Sequence, residues 1–508
     1  MKRLLSYLCV LLLAASCIGK EDQEYKGAPA VQITFLSSTH TTAAFKLDYL
    51  NADAVYYLCS ASSDPAPYAA DIKSSGTRTV EDSIIVRDLA ASTSYIIYAV
   101  AVKEPDTFSS VVSKDFRTGI VAGDMYDWEL ARGEVPFLAD ITLCPGGGAL
   151  NTNPWFEIPS AWTSARFLPN VSFVDENGER RWLFDSFLCL SGVDKDGNNY
   201  GINNNGRRSA DKQSWEYFAS FWLDITGAFS QLDKALMENP PDRADKRKHY
   251  VVMMLPDPVM FDRFSDKTSS TTYWGALNGL QMDFSKVEDQ ISALKWYIDL
   301  CRGKFSDLRS RQLELAGFYI LSEELVAKPG GWNYEQKRWD RILPRIGAYL
   351  NERNEGLYWI PYRGADGTDI WKELGINQAW LQPNYYWDYN NEKPVKESFK
   401  MMKDLGMGIE LEFEYSMVGK VMQTPGIMGP DAAGQYVFSS KDVPSLRARF
   451  REYMNGYKEN GLYGKYPIAL YSGSNAMYQL ASSDDEEDRK VYLELCHFIA
   501  DSPLKNSN

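Results

Sequence analysis

The 508 residues carry a formal charge of −14, with 44% hydrophobic and 24% charged side chains. That length exceeds one ordinary domain and can bury a large core. The acidic balance excludes phosphate-backbone binding, so no nucleic acid is expected, and it favours a neutral or cationic partner.

The chain opens with MKRLLSYLCVLLLAASC, a basic start, a short apolar run and small residues before Cys17. This pattern predicts a secretion signal over 1–17, since the apolar run is too short for a comfortable membrane span. LAASC resembles a bacterial lipoprotein signal, which implies Cys17 as the lipidated residue, followed by a tether over 18–27. The next residues, GKEDQE, resemble the tag that sends some lipoproteins to the outer cell surface. The expectation is an outer membrane lipoprotein, cell-surface exposed or else facing the periplasm, held to the membrane by its lipid alone. Cys59, Cys144, Cys189, Cys301 and Cys496 show no CxxC spacing, so buried free thiols are expected in place of zinc or disulfides.

Over 28–118 the sequence reads as short strands parted by turn residues: AVQITFLSS, TAAFKLDYL, AVYYLCSAS, SIIVRDL, SYIIYAVAV and SKDFRTG. Such spacing predicts a small all-β sandwich, and VRDLAASTSYIIYAVAV resembles the fibronectin type III fold. No cluster of titratable residues accompanies these strands, so a spacer or docking role is expected.

A linker over 119–135 leads to a different rhythm across 136–503. Strand-like runs begin with ADITLCPGG (139–147), WLFDSFLCLSG (182–192), HYVVMMLPDP (249–258) and ELAGFYILSEE (314–324). They continue with GLYWIPYRG (356–364), INQAWLQPNYYW (376–387), MGIELEFEYS (407–416) and PIALYSG (467–473). Amphipathic helical patterns lie between most of them, at 214–238, 285–304, 334–353, 394–405, 441–460 and 485–500. Eight such units predict an α/β chain whose second domain is a (β/α)8 TIM barrel. A doubly wound open sheet is the alternative, but CPGGGAL lacks the G-x-G-x-x-G spacing of a phosphate turn.

Active sites of this barrel gather at the C-terminal strand ends. Read in order, those ends offer Asp185, Asp257, Glu323 with Glu324, Tyr362 with Arg363, and Asn384, Tyr385, Tyr386 and Trp387. The acids of the seventh strand and Tyr471 complete them. Only His40, His249 and His497 exist, none at a strand end, so His-based nucleophilic or metal chemistry is not expected. No D-x-D-x-D-G loop points to calcium, and neither a metal nor another cofactor is expected.

Carboxylate chemistry remains. Glycoside hydrolysis commonly needs one carboxyl group to protonate the leaving oxygen and a second to act as nucleophile or base. The seventh strand places Glu410, Glu412 and Glu414 on one face. Glu410, the deepest, would need a partner such as an arginine if it faced inward. Acid/base on strand four and nucleophile on strand seven resembles a large clan of retaining barrel glycosidases. That clan usually has Asn-Glu on strand four, where this chain has Ser322-Glu323. The preferred pair is Glu323 as acid/base and Glu412 as nucleophile, with Glu324 and Glu414 as alternates. Face-on stacking residues are sought in Tyr273 and Trp274, Trp332, Tyr358 and the run NYYWDY, while Trp359 reads as core.

Taken as a set, TYWGALNGLQMDFS, LAGFYILSEE, WIPYRG, QPNYYW and GIELEFE resemble a family of uncharacterised secreted proteins of glycan-harvesting bacteria, a domain of unknown function with a glycosidase-like TIM barrel. The resemblance spans most of 136–500 and implies action on a polysaccharide. The expected protein is a monomeric, lipid-anchored glycoside hydrolase, retaining in mechanism. The alternative is a glycan-binding surface lipoprotein that uses the same cleft without cleaving.

Overall fold

The computed structural model describes residues 27–38, 41–62, 64–90, 93–118, 135–148, 162–201, 207–241, 248–325, 338–387, 395–422, 442–473 and 475–505. The expected lipidation at Cys17, the tether up to residue 26, linker residues 119–134, His40 and Trp332 fall outside them. Among the described residues, no helix is long and apolar enough to cross a membrane.

The N-terminal region is β-sandwich-like. Ala30–Ser38, Ala43–Leu50 and Ser83–Val86 form one sheet. Thr77–Thr79, Ala54–Ala61, Ser94–Lys103 and Thr107–Phe108 form another, with Val112–Arg117 paired to Ser94–Lys103. The alternation of apolar residues in SYIIYAVAVK buries Tyr98, Val100 and Val102 against Ile72 of a short helix, Ala69–Ser75, that the strand pattern did not announce. Phe45 packs edge-on against Phe116, with centroids 5.1 Å apart.

The remainder builds a closed barrel of eight parallel strands. In chain order they are Asp140–Pro145, Ser186–Leu190, His249–Leu255, Leu313–Ile320, Gly356–Trp359, Gln378–Leu381, Gly408–Glu412 and Ile468–Tyr471, each paired to the next and the last to the first. These strands are buried almost throughout, as HYVVMML illustrates, because interior side chains face one another while helices cover the outside. The open-sheet alternative is set aside by the pairing of Ile468–Leu470 with Asp140–Thr142. The predicted helix over 214–238 is broken into Lys212–Leu223 and Ala228–Glu238. At the break sits Gly227, whose missing Cβ would lie 2.9 Å from the Asp224 carbonyl oxygen. Ser164–Val171 is a further helix that its internal Pro169 hid from the periodicity.

At the N-terminal end of the barrel, Lys505 Nζ lies 2.6 Å from Asp140 Oδ2 and 3.5 Å from Asp185 Oδ2. The Asp185 amide donates to Asp140 Oδ1 at 2.7 Å. This corrects the expectation for Asp185. The second strand begins at Ser186, so Asp185 precedes the strand and belongs to an ion-paired floor, opposite the C-terminal strand ends. His249 starts the third strand, fully buried and 4.8 Å from the Trp182 ring.

Strand four carries a register shift against strand three, between Val251 and Val252. Gly317 sits there at φ +150°, with a would-be Cβ 2.0 Å from the Gly356 carbonyl oxygen. Only glycine fits so close a backbone approach. The shift resets the alternation over the rest of the strand, up to Ile320, and Glu323 lies three residues beyond its end.

Candidate active site at the barrel mouth

Tyr319 interacts electrostatically with Glu323 just beyond the end of its own strand, with Glu410 from strand seven, and with Asp257 beyond the end of strand three. Glu410 in turn feels both Glu412 and Glu323. Strands four and seven therefore bring their acids to one end of the barrel, as expected from strand position. Among the described residues, no group of three or more metal-ligating side chains is placed to hold a metal ion.

Glu323 is solvent-accessible, yet the walls of the mouth withdraw enough water to raise its pKa, with no hydrogen-bond donor opposing the shift. The backbone behind it is held from two sides. Ser322 Oγ donates to Asp257 Oδ2 at 2.8 Å, and the buried Trp359 indole donates to the Ser322 carbonyl at 2.8 Å. Ser322→Ala leaves a buried carboxylate short of a donor and is expected to lower stability by about 1.5–3 kcal/mol, read by denaturant unfolding. The adjacent Glu324 accepts a bond from the Tyr362 hydroxyl at 3.1 Å.

Strand seven ends at Glu412, so Glu414 lies beyond it at the start of the 3-10 turn Tyr415–Met417, not on the strand face expected, and the three glutamates occupy distinct environments. Glu410 is 3% exposed and stands opposite Ala469. Burial raises its pKa well above the usual carboxylate range, and the charges of Glu412 and Glu323 push the same way. Glu412 is completely enclosed. Burial lifts it to about 8, against the pull of the Tyr453 hydroxyl, which donates to Oε2, while Oε1 has no hydrogen-bond partner among the described residues. Glu414 is half-buried. Burial raises it too, but the Trp387 indole and the Tyr471 hydroxyl (3.4 Å) both favour its ionised form.

Tyr453, on helix Val443–Glu459, organises the cover over Glu412. Its hydroxyl accepts the amides of Tyr385 (3.1 Å) and Tyr386 (2.9 Å) and donates to Glu412. With both lone pairs used, the phenol spends its single proton on the carboxylate. Asn384 takes a left-handed conformation, φ 56°, where the chain turns over this acid.

Several expected sugar contacts are placed otherwise. Trp274 is 1% exposed among Trp215, Phe284 and Trp296, so it packs a helix-side core. Tyr273 bonds the Val259 carbonyl at 2.7 Å, and Tyr358 is fully buried. Tyr385 and Tyr386 are buried as well. The first bonds Glu452 and the second Ser416, because the helix carrying Tyr453 gives this post-strand segment a polar and aromatic bed. Arg363 is ion-paired to Glu397. Trp387 and Tyr471 remain partly open, 6.1 Å apart and edge-on. Asp257 is buried behind Ser322. Tyr319 was missed by sequence reasoning. Tyr453 had no signal, lying 41 residues from Glu412 in the chain.

A closed barrel of eight parallel strands with buried carboxyl groups at its C-terminal mouth defines a TIM-like barrel, a fold compatible with an enzyme. This chain belongs to the family described as a domain of unknown function (DUF4855), which matches residues 157–425. No curated protein matches it. Among solved structures, a computationally redesigned β-sandwich protein is 23% identical over 19% of this chain and 92% of its own, with a TM-score of 0.15. A structure described as a myokine is 18% identical over 18% and 96%, TM-score 0.15. The fn3 domain of human collagen alpha-1(XX) is 13% identical over 20% and 95%, TM-score 0.16.

Proposed function

We propose that this protein is a glycoside hydrolase working by a two-carboxylate mechanism at the barrel mouth. The observation carrying this reading is the contrast between Glu323 and Glu414. Both are raised by burial, but only Glu414 has donors serving its charge. Two carboxyl groups with divergent environments are what acid and nucleophile require. Glu323 gives its proton to the glycosidic oxygen as that bond breaks. Glu414 attacks the anomeric carbon, and the deprotonated Glu323 then activates the water that releases the sugar. The earlier preference for Glu412 moves to Glu414, because Glu412 is enclosed and protonated near neutral pH. Trp387 and Tyr471 would flank the sugar, and Glu324 with Tyr362 would border it.

The further reading is a lipid-anchored protein of the outer cell surface, with Cys17 as the anchor and a fibronectin type III-like sandwich as spacer. It rests on the signal-like N-terminus and on the strand pattern of 28–118. The non-catalytic glycan binder draws support from Ser322, whose hydroxyl is engaged by Asp257.

A polysaccharide panel assayed for new reducing ends, with the first-formed anomer followed by NMR, tests the proposal. Release of product with retained configuration supports it. Binding without release on every glycan favours the binder. Tyr471→Phe removes a donor from ionised Glu414, so the acidic limb of the kcat/KM profile is expected to move to higher pH.

A further inference from the structure

Glu414 lies two residues past the last residue of its strand, so the barrel ladder alone does not fix it. On its N-terminal side, the Phe413 amide donates to the Tyr471 carbonyl at 3.0 Å. On its C-terminal side comes the turn Tyr415–Met417, where the Met417 amide donates to the Glu414 carbonyl at 3.0 Å. The one-turn helix Gly419–Met422 follows. So short a helix gains too few internal hydrogen bonds to offset the cost of ordering it, and it needs support from outside.

Asp488 supplies that support. In the sequence it is the last acid of SSDDEED, a run that reads as the solvated first turn of a helix. The helix is Glu486–Ala500, and Asp484, Glu486 and Glu487 are exposed as such a run implies. Asp488 is fully enclosed. Its Oδ1 accepts the Gly419 amide at 2.7 Å and a bond from the Arg447 guanidinium. Its Oδ2 accepts the Lys420 amide at 3.0 Å and the Ser483 hydroxyl at 2.8 Å. Four donors, one of them cationic, offset the cost of burying the carboxylate. The same contact dictates Gly419, where a Cβ would stand 2.8 Å from Arg447 Nη2. Arg447 belongs to the helix Val443–Glu459, which also carries Tyr453 over Glu412. Two consecutive amides on one carboxylate fix the backbone in direction as well as position, because each bond orients a different peptide plane.

We propose that Asp488 is a positioning residue for Glu414, clamping the backbone five and six residues beyond it so that the Glu414 carboxylate stays beside Tyr471 and in line with the bound sugar. This rests on the glycosidase reading, with Glu414 as nucleophile. The clamp acts through the intervening turn, which Ser416 ties further to the Tyr386 hydroxyl at 2.9 Å.

The test is Asp488→Asn in the full chain, with kcat counted per active site by titration. Asparagine keeps the size but removes the charge and sets an NH2 group against a backbone N–H. It is expected to lower kcat by about 10²-fold with KM little changed, the cost of displacing a reacting group by about 1 Å. A displaced Glu414 also loses the Tyr471 hydroxyl, so the acidic limb of the kcat/KM profile is expected to move to higher pH. A role confined to stability lowers the number of active sites and leaves kcat per site and the limb in place. Ser483→Ala removes one donor and keeps the charge, both amides and Arg447, so it serves where Asp488→Asn fails to fold. It is expected to shift kcat and the limb in the same directions, kcat by about 2- to 5-fold. Unchanged kcat per site and an unmoved limb in the folded variants overturn the clamp while leaving the glycosidase reading intact. Absence of cleavage by the wild type on every glycan of a broad panel overturns both.

Discussion

Glu323→Gln is expected to lower kcat/KM on a natural glycan by about 10²–10⁴-fold, the range removed with a general acid. Burial raises the Glu323 pKa without an opposing donor, which is the direction that the proposed acid role requires. Glutamine keeps the shape and has no acidic proton. The loss should shrink on an aryl glycoside with a strongly acidic phenol, since that leaving group departs without protonation. Glu414→Gln should show no such dependence, because every substrate needs the second carboxylate for the bond-forming step. Steady-state kinetics of both variants on a paired natural and activated substrate reads the difference. Full activity in Glu323→Gln would sink the assignment.

The barrel is expected to lose stability as pH rises from about 4.5 to about 8, with Glu412 a principal cause. Its pKa climbs from 4.5 to about 8 on folding, so between those values the native protein holds a proton that the unfolded chain releases. Stability is then fully present below the unfolded value and is lost as pH rises through the folded one. A shift of this size in a fully enclosed group is worth on the order of a few kcal/mol. Asp140, raised to about 6 by burial and by Asp185 despite Lys505, works in the same direction. The contribution of Glu412 is isolated by subtracting the Tm-versus-pH profile of Glu412→Gln from that of the wild type. The variant should have a flatter profile and lie above the wild type at pH 8 relative to pH 5. Identical slopes would mean that Glu412 keeps its charge when buried.

Much of the barrel was legible because its strands are buried on both faces and so read as continuous apolar runs, between helices with a marked 3.6-residue period. HYVVMML and LELAGFYI are recognisable in isolation for that reason. The helix Ser164–Val171 was not, because Pro169 breaks its pattern. Strand ends were the weakest point. An apolar run such as WLFDSFLCLSG does not mark where pairing begins, and a displacement of four residues carried Asp185 from the floor to the mouth. The aromatic run NYYWDY suggested exposure because no local segment could bury it. The bed beneath Tyr385 and Tyr386 comes from Tyr453, Arg449 and Glu452, more than sixty residues further along the chain.

By itself the sequence determined that acids of strands four and seven would share one end of a closed barrel, since alternation and chain order fix strand faces and strand positions. It also determined the shortage of histidine that leaves carboxylate chemistry as the main resource. Which acid does what was decided only in the folded state. Glu410, Glu412 and Glu414 are identical in the sequence and two residues apart. Their differences come from Ala469, Tyr453, Trp387 and Tyr471, supplied by other elements. A carboxyl group's proton affinity depends on the water and donors within a few ångströms of it, and those neighbours are assembled by tertiary packing.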